Sequence, residues 1–474
     1  MSHGSSRRVA AVLGLILCFA ATGAHAQTEG AAPHQSSEPR REQDQLFADL
    51  SSLVGRPGGL TANEVARRAG LVSPAERARS LEVAASQEDL KRVYQSYWPE
   101  LSLAAKYTRS SEVPAGRVEE GGVTLSFPAL LNEYWMQGAL AVPVSSYVLT
   151  LAEQARAARH SLAAARLRGE LTRRANAAEA RLAFYTWVRA RLGARVSAQT
   201  LEQATQVLAV ARANLELGRV SAADVLRAES QAASAELALS EADELLTLAE
   251  ARLRTLMHDP SSEAYVIGED VLGVETAAVS ESLGAALARA VAHRLEARLF
   301  AETAAGLRST ARARERDAYP RLVAFANVYY ANPHPRVLPQ RDEFVGSWDA
   351  GLGVSWSASE VARARTEARA QRLRADAVDA ERAAFLDALR EEVLAAQQAV
   401  RRARADARTA ERGLLAAHEA YRVRRELFAL GRTTSLEVTN SETELMRARL
   451  ALISARIGAR VARVQWLRAI GADG

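Results

Sequence analysis

Two short segments of this 474-residue chain carry the same arrangement of chemically active side chains. In Leu217-Gly218-Arg219-x-Ser221-x-x-Asp224 and in Leu430-Gly431-Arg432-x-Thr434-x-x-Glu437, a hydroxyl follows the Gly by three residues and an acid follows it by six. A Gly can end a helix in the left-handed conformation, and a Ser or Thr can cap the next one. An acid three residues further on can then reach back to the cap backbone. The spacing therefore predicts two tight helix reversals, with caps at Ser221 and Thr434 and capping-box partners Asp224 and Glu437. Capping alone would account for both acids; an added electrostatic role is the competing reading.

Catalytic and metal-binding patterns are missing by contrast. The eight His residues are scattered, with no H-E-x-x-H, P-loop or G-x-S-x-G, and Cys18 is the only cysteine. His258, His293 and His418 read as surface or packing residues. The sequence thus predicts no enzyme, no cofactor and no metal site. Of 61 basic residues only Lys91 and Lys106 are lysines, and 56 acids are interleaved with the arginines to leave a net charge of +5. The Arg excess reads as compositional bias, and no basic stripe for nucleic acid stands out.

Residues 1–26 read as a secretory signal peptide. Arg7 and Arg8 precede an apolar run from Val9 to Ala21, and Ala24-His25-Ala26 offers a cleavage site. Cys18 lacks a small residue just before it, which disfavours a lipid anchor, and leaves with the signal. The exported chain would then have no thiol, so burial or assembly must stabilise it. Residues 27–59, with Pro33, Pro39 and Pro57-Gly58-Gly59, read as a flexible polar lead-in.

From Leu60 the chain follows one plan twice: a helix ending at a Pro, two short strands around a loop, a very long helix, a Gly break and another helix. The Pro landmarks are Pro99 and Pro320, and Val142 to Gly218 spans 76 residues where Val354 to Gly431 spans 77. This is an internal duplication. The first repeat covers 60–258, with strands at 97–108 and 137–144 and helices at 144–217 and 221–257. A linker covers 259–280. The second repeat covers 281–471, with strands at 320–330 and 345–356 and helices at 357–430 and 434–470.

The strand segments have period two. Leu101, Leu103, Ala105 and Tyr107 alternate with Ser102, Ala104, Lys106 and Thr108, and Leu352 and Val354 alternate with Asp349 and Ser355. Of 26 aromatic residues, eight lie in 94–147 and seven in 319–356. Aromatics flanking alternating strands of this length mark a lipid-facing barrel, the alternative being a hairpin packed on helices. Four strands cannot close a barrel and lipid tolerates no open edge, so several chains must share one. On that reading Lys106, Asp349 and Ser355 line a wet lumen, while Leu101, Leu103, Leu352 and Val354 face lipid.

Each long helix runs for 74 residues without Pro, about 110 Å at 1.5 Å per residue. Small residues allow close helix approach, and a regular Leu heptad is absent, which counts against a structural coiled-coil protein.

Leu60-Thr61-x-x-Glu64-Val65, Pro99-Glu100-Leu101, Val142-Pro143 and Leu217-Gly218-x-x-Ser221-x-x-Asp224-Val225-Leu226, followed by a degenerate repeat, resemble the TolC-like outer-membrane efflux protein family from Leu60 to Gly471. The resemblance implies a mainly α fold with a transmembrane β-barrel. Three chains would share a twelve-stranded barrel, continued by a periplasmic α-helical barrel, in the outer membrane of a Gram-negative bacterium. It implies a passive exit duct for tripartite efflux or type I secretion, serving an inner-membrane pump of RND or ABC type through a periplasmic adaptor. The adaptor itself is the alternative, but it would carry one helical hairpin rather than two. The resemblance also places adaptor docking at Leu217, Gly218, Arg219, Leu430, Gly431 and Arg432. An entrance gate is placed at Asp224, Glu437 and Asn440. Relatives carry an acid where Asn440 stands and an Arg where Thr433 stands, so a gate with fewer ion pairs is expected here.

Overall fold

The computed structural model describes residues 51–112, 116–120, 123–127, 130–273 and 281–472. The expected signal peptide, Cys18 and most of the lead-in lie outside these residues. Two helices open the described chain, α1 (Ala62–Val72) and α2 (Pro74–Gln95). Thr61 caps α1 by accepting the backbone N–H of Glu64. Then come β1 (Glu100–Arg109), β2 (Gly116–Glu120), β3 (Val123–Phe127), β4 (Asn132–Val142), α3 (Val144–Leu149), α4 (Leu151–Glu216) and α5 (Ala222–Met257). The second half supplies α6 (Leu283–His293), α7 (Leu295–Arg316), β5 (Arg321–Asn332), β6 (Val345–Ser355), α8 (Ala358–Ala429) and α9 (Ser435–Ala469).

Four strands form one antiparallel sheet in the order β1-β4-β5-β6. Each repeat gives one hairpin, and the β4–β5 ladder, from Tyr134↔Asn332 to Val142↔Ala324, joins them. The helices extend this order. Around the sheet-proximal half, α2 packs on α4, α4 on α7 and α7 on α8; beyond it the neighbours run α5, α4, α9, α8. Among the described residues, β1 and β6 are paired on one side only.

Three expectations need correction. The first long helix is not continuous, because Thr150 (φ −108°, ψ −39°) separates α3 from α4. The side chains at this break explain it. Ser145 Oγ accepts the N–H of Leu322 at 3.0 Å, tying α3 to the start of β5, and Arg316 donates to the Leu149 carbonyl at 2.7 Å. The loop expected between the first two strands contains a second small sheet, β2–β3, and β4 begins at Asn132 rather than 137. Residues 51–59, expected to be flexible, are bonded to the linker. Arg56 N–H donates to Ile267 O, Leu60 N–H to Val266 O and Gly268 N–H to Leu60 O. Gly59 and Gly268 meet so closely that a Cβ on Gly59 would lie 2.5 Å from Gly268 N. Neither position can carry a side chain.

The main core lies where α1, α4, α5, α9 and this linker strand converge. Phe184, Trp187, Leu192, Leu253, Ile267, Ile453 and Ile457 are buried together there. A second cluster joins α6, α8 and α9 through Leu389, Val393, Val400, Trp466 and Ile470. Toward the sheet α8 buries Ala364, Ala368 and Ala375, whose small side chains permit close approach.

Candidate functional site

The two Gly turns have matching hydrogen bonds. In the first, Gly218 N–H donates to Leu215 O and Arg219 N–H to Asn214 O; in the second, Gly431 N–H donates to Phe428 O and Arg432 N–H to Leu427 O. Both glycines have φ 69°. These are Schellman motifs, which need a residue tolerant of positive φ. Leu217 and Leu430, the residues before them, are 63% and 64% exposed.

The turns also touch one another. Asn214 donates to Phe428 O at 3.4 Å, and a Cβ on Gly431 would lie 3.7 Å from Arg219 Cβ. Asp224 makes the strongest link between them. One carboxylate oxygen accepts the N–H (3.1 Å) and hydroxyl (2.6 Å) of Ser221, and the other accepts the hydroxyl of Ser435 (2.6 Å) from the second repeat. The hydrogen bonds from Ser221 and then Ser435 pull its pKa down to about 2, against the cost of burial. Ser221 thus completes the expected capping box.

The second turn departs from expectation. Thr434 occupies the N-cap position of α9, but its side chain makes no capping bond. Glu437 instead accepts the hydroxyl of Thr433 at 2.8 Å. Ser435 is turned toward Asp224 in the other repeat, so the second turn gives its hydroxyl to the joint rather than to a box of its own. Glu437, Asn440 and Arg432 are exposed. Spacing could not reveal Ser435, because its role depends on a partner 211 residues away.

The sheet has two chemically distinct faces. Lys106 lies opposite Trp135, and Asp349 lies opposite Asn327, which in turn lies opposite Ala139. Strand alternation then puts Lys106, Gln137, Asn327, Asp349 and Ser355 on one face. Gln137 donates to Asn327 at 3.2 Å and Asn327 to Asp349 at 2.7 Å. The other face carries Leu101, Leu103, Leu140, Val328, Trp348, Leu352 and Val354, all exposed, Leu103 to 83%. At one end of this face Tyr107, Tyr134, Phe344 and Tyr330 form a chain of rings with centroids 5.0–5.8 Å apart. At the other end lie Trp98, Tyr319 and Trp356, also exposed.

No family model matches the sequence, and no curated protein matches it either. Solved structures do match. CusC, described in connection with transmembrane channel formation, superposes with a TM-score of 0.72 at 14% identity, over 86% of this chain and 92% of that one. The CmeC outer membrane channel of Campylobacter jejuni gives 0.71 at 13% identity, over 90% and 91%. The outer membrane protein VceC of Vibrio cholerae gives 0.68 at 16% identity, over 86% and 96%. The chain has the fold of these outer-membrane proteins.

Within this fold two buried carboxyl groups stand out that spacing did not reveal. Glu153, 1% exposed, meets Arg312 at 2.9 Å, Arg156 at 2.6 Å and Arg316 at 3.4 Å, pinning α4 to α7 just beyond the strand–helix junction. Burial raises its pKa, but the three guanidinium groups, Arg312 foremost, outweigh this and hold it below the ordinary value. Glu442 of α9 is equally buried, and neither carboxyl oxygen has a hydrogen-bond partner among the described residues. Burial pushes its pKa up to about 7, partly opposed by Arg449. Among the described residues, no three His, Cys, Asp or Glu cluster in a way that could hold a metal ion.

Proposed function

We propose that the chain is one subunit of a trimeric exit duct. Three sheets join edge to edge as a twelve-stranded barrel in the outer membrane, and the helices extend the wall through the periplasm. Substrates handed over by an inner-membrane pump and a periplasmic adaptor leave through it passively. The observation that carries this reading is the sheet: one polar face, one exposed apolar face between two groups of aromatics, and two edge strands that have no partner on their outer sides among the described residues. Unpaired backbone in lipid costs several kcal/mol per group, so such a sheet is stable in a membrane only when closed. Exposed leucines on the outer helices, Leu226, Leu237, Leu245 and Leu248 of α5 and Leu373 of α8, fit the same assembly.

The joined turns, with Leu217, Gly218, Arg219, Leu430, Gly431 and Arg432, form the adaptor-docking tip on this reading. Asp224, Glu437 and Asn440 form the periplasmic gate. The decisive test is cysteine labelling in outer-membrane vesicles with a water-soluble maleimide. Ser355→Cys should react and Val354→Cys should be spared; equal reaction at both would exclude a barrel in lipid.

A further inference from the structure

The polar face of the sheet is not open along its whole length. The connection between β5 and β6, residues 333–344, does not project away from the strand ends but turns back over this face. His334, 2% exposed, lies with Nε2 2.8 Å from Ser347 Oγ. Its Nδ1 accepts the backbone N–H of Arg336 at 3.2 Å, so the ring proton of the neutral imidazole sits on Nε2 and is donated to Ser347. Two residues on, Arg336 reaches two residues further along β6. It donates to Asp349 at 2.6 Å and to the Trp348 carbonyl at 3.2 Å, and its guanidinium lies 5.3 Å from the Tyr329 ring centroid.

Ser347, Asp349 and Tyr329 belong to the polar face, so the segment runs alongside β6 on the lumen side for at least one strand repeat. Its far end is anchored on the opposite face, where Phe344 stacks on Tyr330 at 5.1 Å. The connection thus crosses the rim of the sheet, with one end latched inside and the other pinned outside.

We propose that residues 333–344 form a strap that narrows the outer mouth of the shared pore, held in place by Arg336 on Asp349. This rests on the duct reading above. Asp349 is then not a bare lumen carboxylate. It is the end of a chain running from Gln137 through Asn327 into the strap, and its charge is matched by Arg336. Three copies around one axis bring three straps to the exit, so the latch controls which bulky solutes pass.

The strap can be tested through the rate at which a bulky, membrane-impermeant maleimide, added outside intact cells, modifies Ser355→Cys, deeper on the same polar face. Adding Arg336→Ala should raise that rate about fivefold, as expected for losing a half-exposed ion pair and a cation–π contact. Asp349→Asn should do the same, and the two together should do no more than either alone. Arg341→Ala, which removes an exposed loop ion pair with Glu343, should leave the rate unchanged. Equal rates in the parent and in Arg336→Ala would overturn the strap. A small maleimide on isolated vesicles separates this from failure of the duct itself: if position 355 is then inert while position 354 reacts, the sheet lines no pore and the strap falls with it.

Discussion

Replacing Asp224 by Ala removes three hydrogen bonds at once: one from the Ser221 N–H that closes the capping box, one from the Ser221 hydroxyl, and one that joins the first turn to Ser435 of the second. The size of the loss follows from the titration of the carboxylate. Its pKa falls from 3.8 to about 2. That difference corresponds to roughly 2.5 kcal/mol favouring the folded joint when the group is charged. The side chain is 18% exposed at a helix end, and screening by water and salt reduces the net to about 1.5 kcal/mol. The N-cap bond itself survives in this variant, because the backbone N–H at 224 still donates to Ser221 Oγ. The folded pKa is depressed, so this stability is complete above pH 3.8 and is lost only as pH falls toward 2. The effect should therefore be constant from pH 5 to pH 8. About 1.5 kcal/mol is roughly tenfold per subunit in the ratio of joined to parted turns. Asp224→Ala should give more frequent openings in planar bilayers at pH 7 and greater entry of a bulky antibiotic into cells. Ser435→Ala should reproduce part of the effect, and the double variant should fall short of the sum. Closed-channel behaviour and antibiotic exclusion equal to the parent at pH 7 would show that Asp224 does not hold the tip.

Glu442→Gln should stabilise the protein at pH 8 by up to about 3 kcal/mol and make little difference at pH 4. A carboxyl whose folded pKa is raised to about 7 weakens the fold as pH climbs from 4.5 to 7 and no further, which thermal melts of the purified protein at several pH values will reveal. Glu153→Ala removes the buried anion that Arg156, Arg312 and Arg316 share, and because those arginines stay partly solvated the cost is about 2 kcal/mol. The yield of heat-resistant trimer should drop sharply, whereas Glu82→Ala, on an exposed helix pair, should leave it intact. Trp at both Gly218 and Gly431 strains each turn, because both sit at φ 69°, but its Cβ meets open space at Gly218 and only the Arg219 side chain at Gly431, so export should fall more than trimer yield. Normal export by that variant would remove the turns from the docking site.

The sequence by itself determined those features that depend on near neighbours. Period-two alternation assigned Lys106, Asp349 and Ser355 to one face and Leu101, Leu103, Leu352 and Val354 to the other. Register later agreed, because a strand's facing pattern is set residue by residue. Gly218 and Gly431 announced helix ends through local conformational preference, and the duplicated spacing revealed two repeats of one plan. Tertiary structure decided whatever depends on partners distant in sequence. Thr434 has the right type and spacing for a capping box, yet Ser435 and Thr433 take up the neighbouring carboxylates. A hydroxyl's choice depends on which acid the packing of two hairpins brings within reach. Thr150 breaks a helix that composition favours because Arg316 and β5 bind the backbone and hydroxyl groups around the break. The ordering of residues 51–59 and the inward turn of 333–344 have the same origin: polar segments rich in Pro and Gly carry no local instruction to fold back, and take their course from the donors and acceptors that the assembled helices and sheet present.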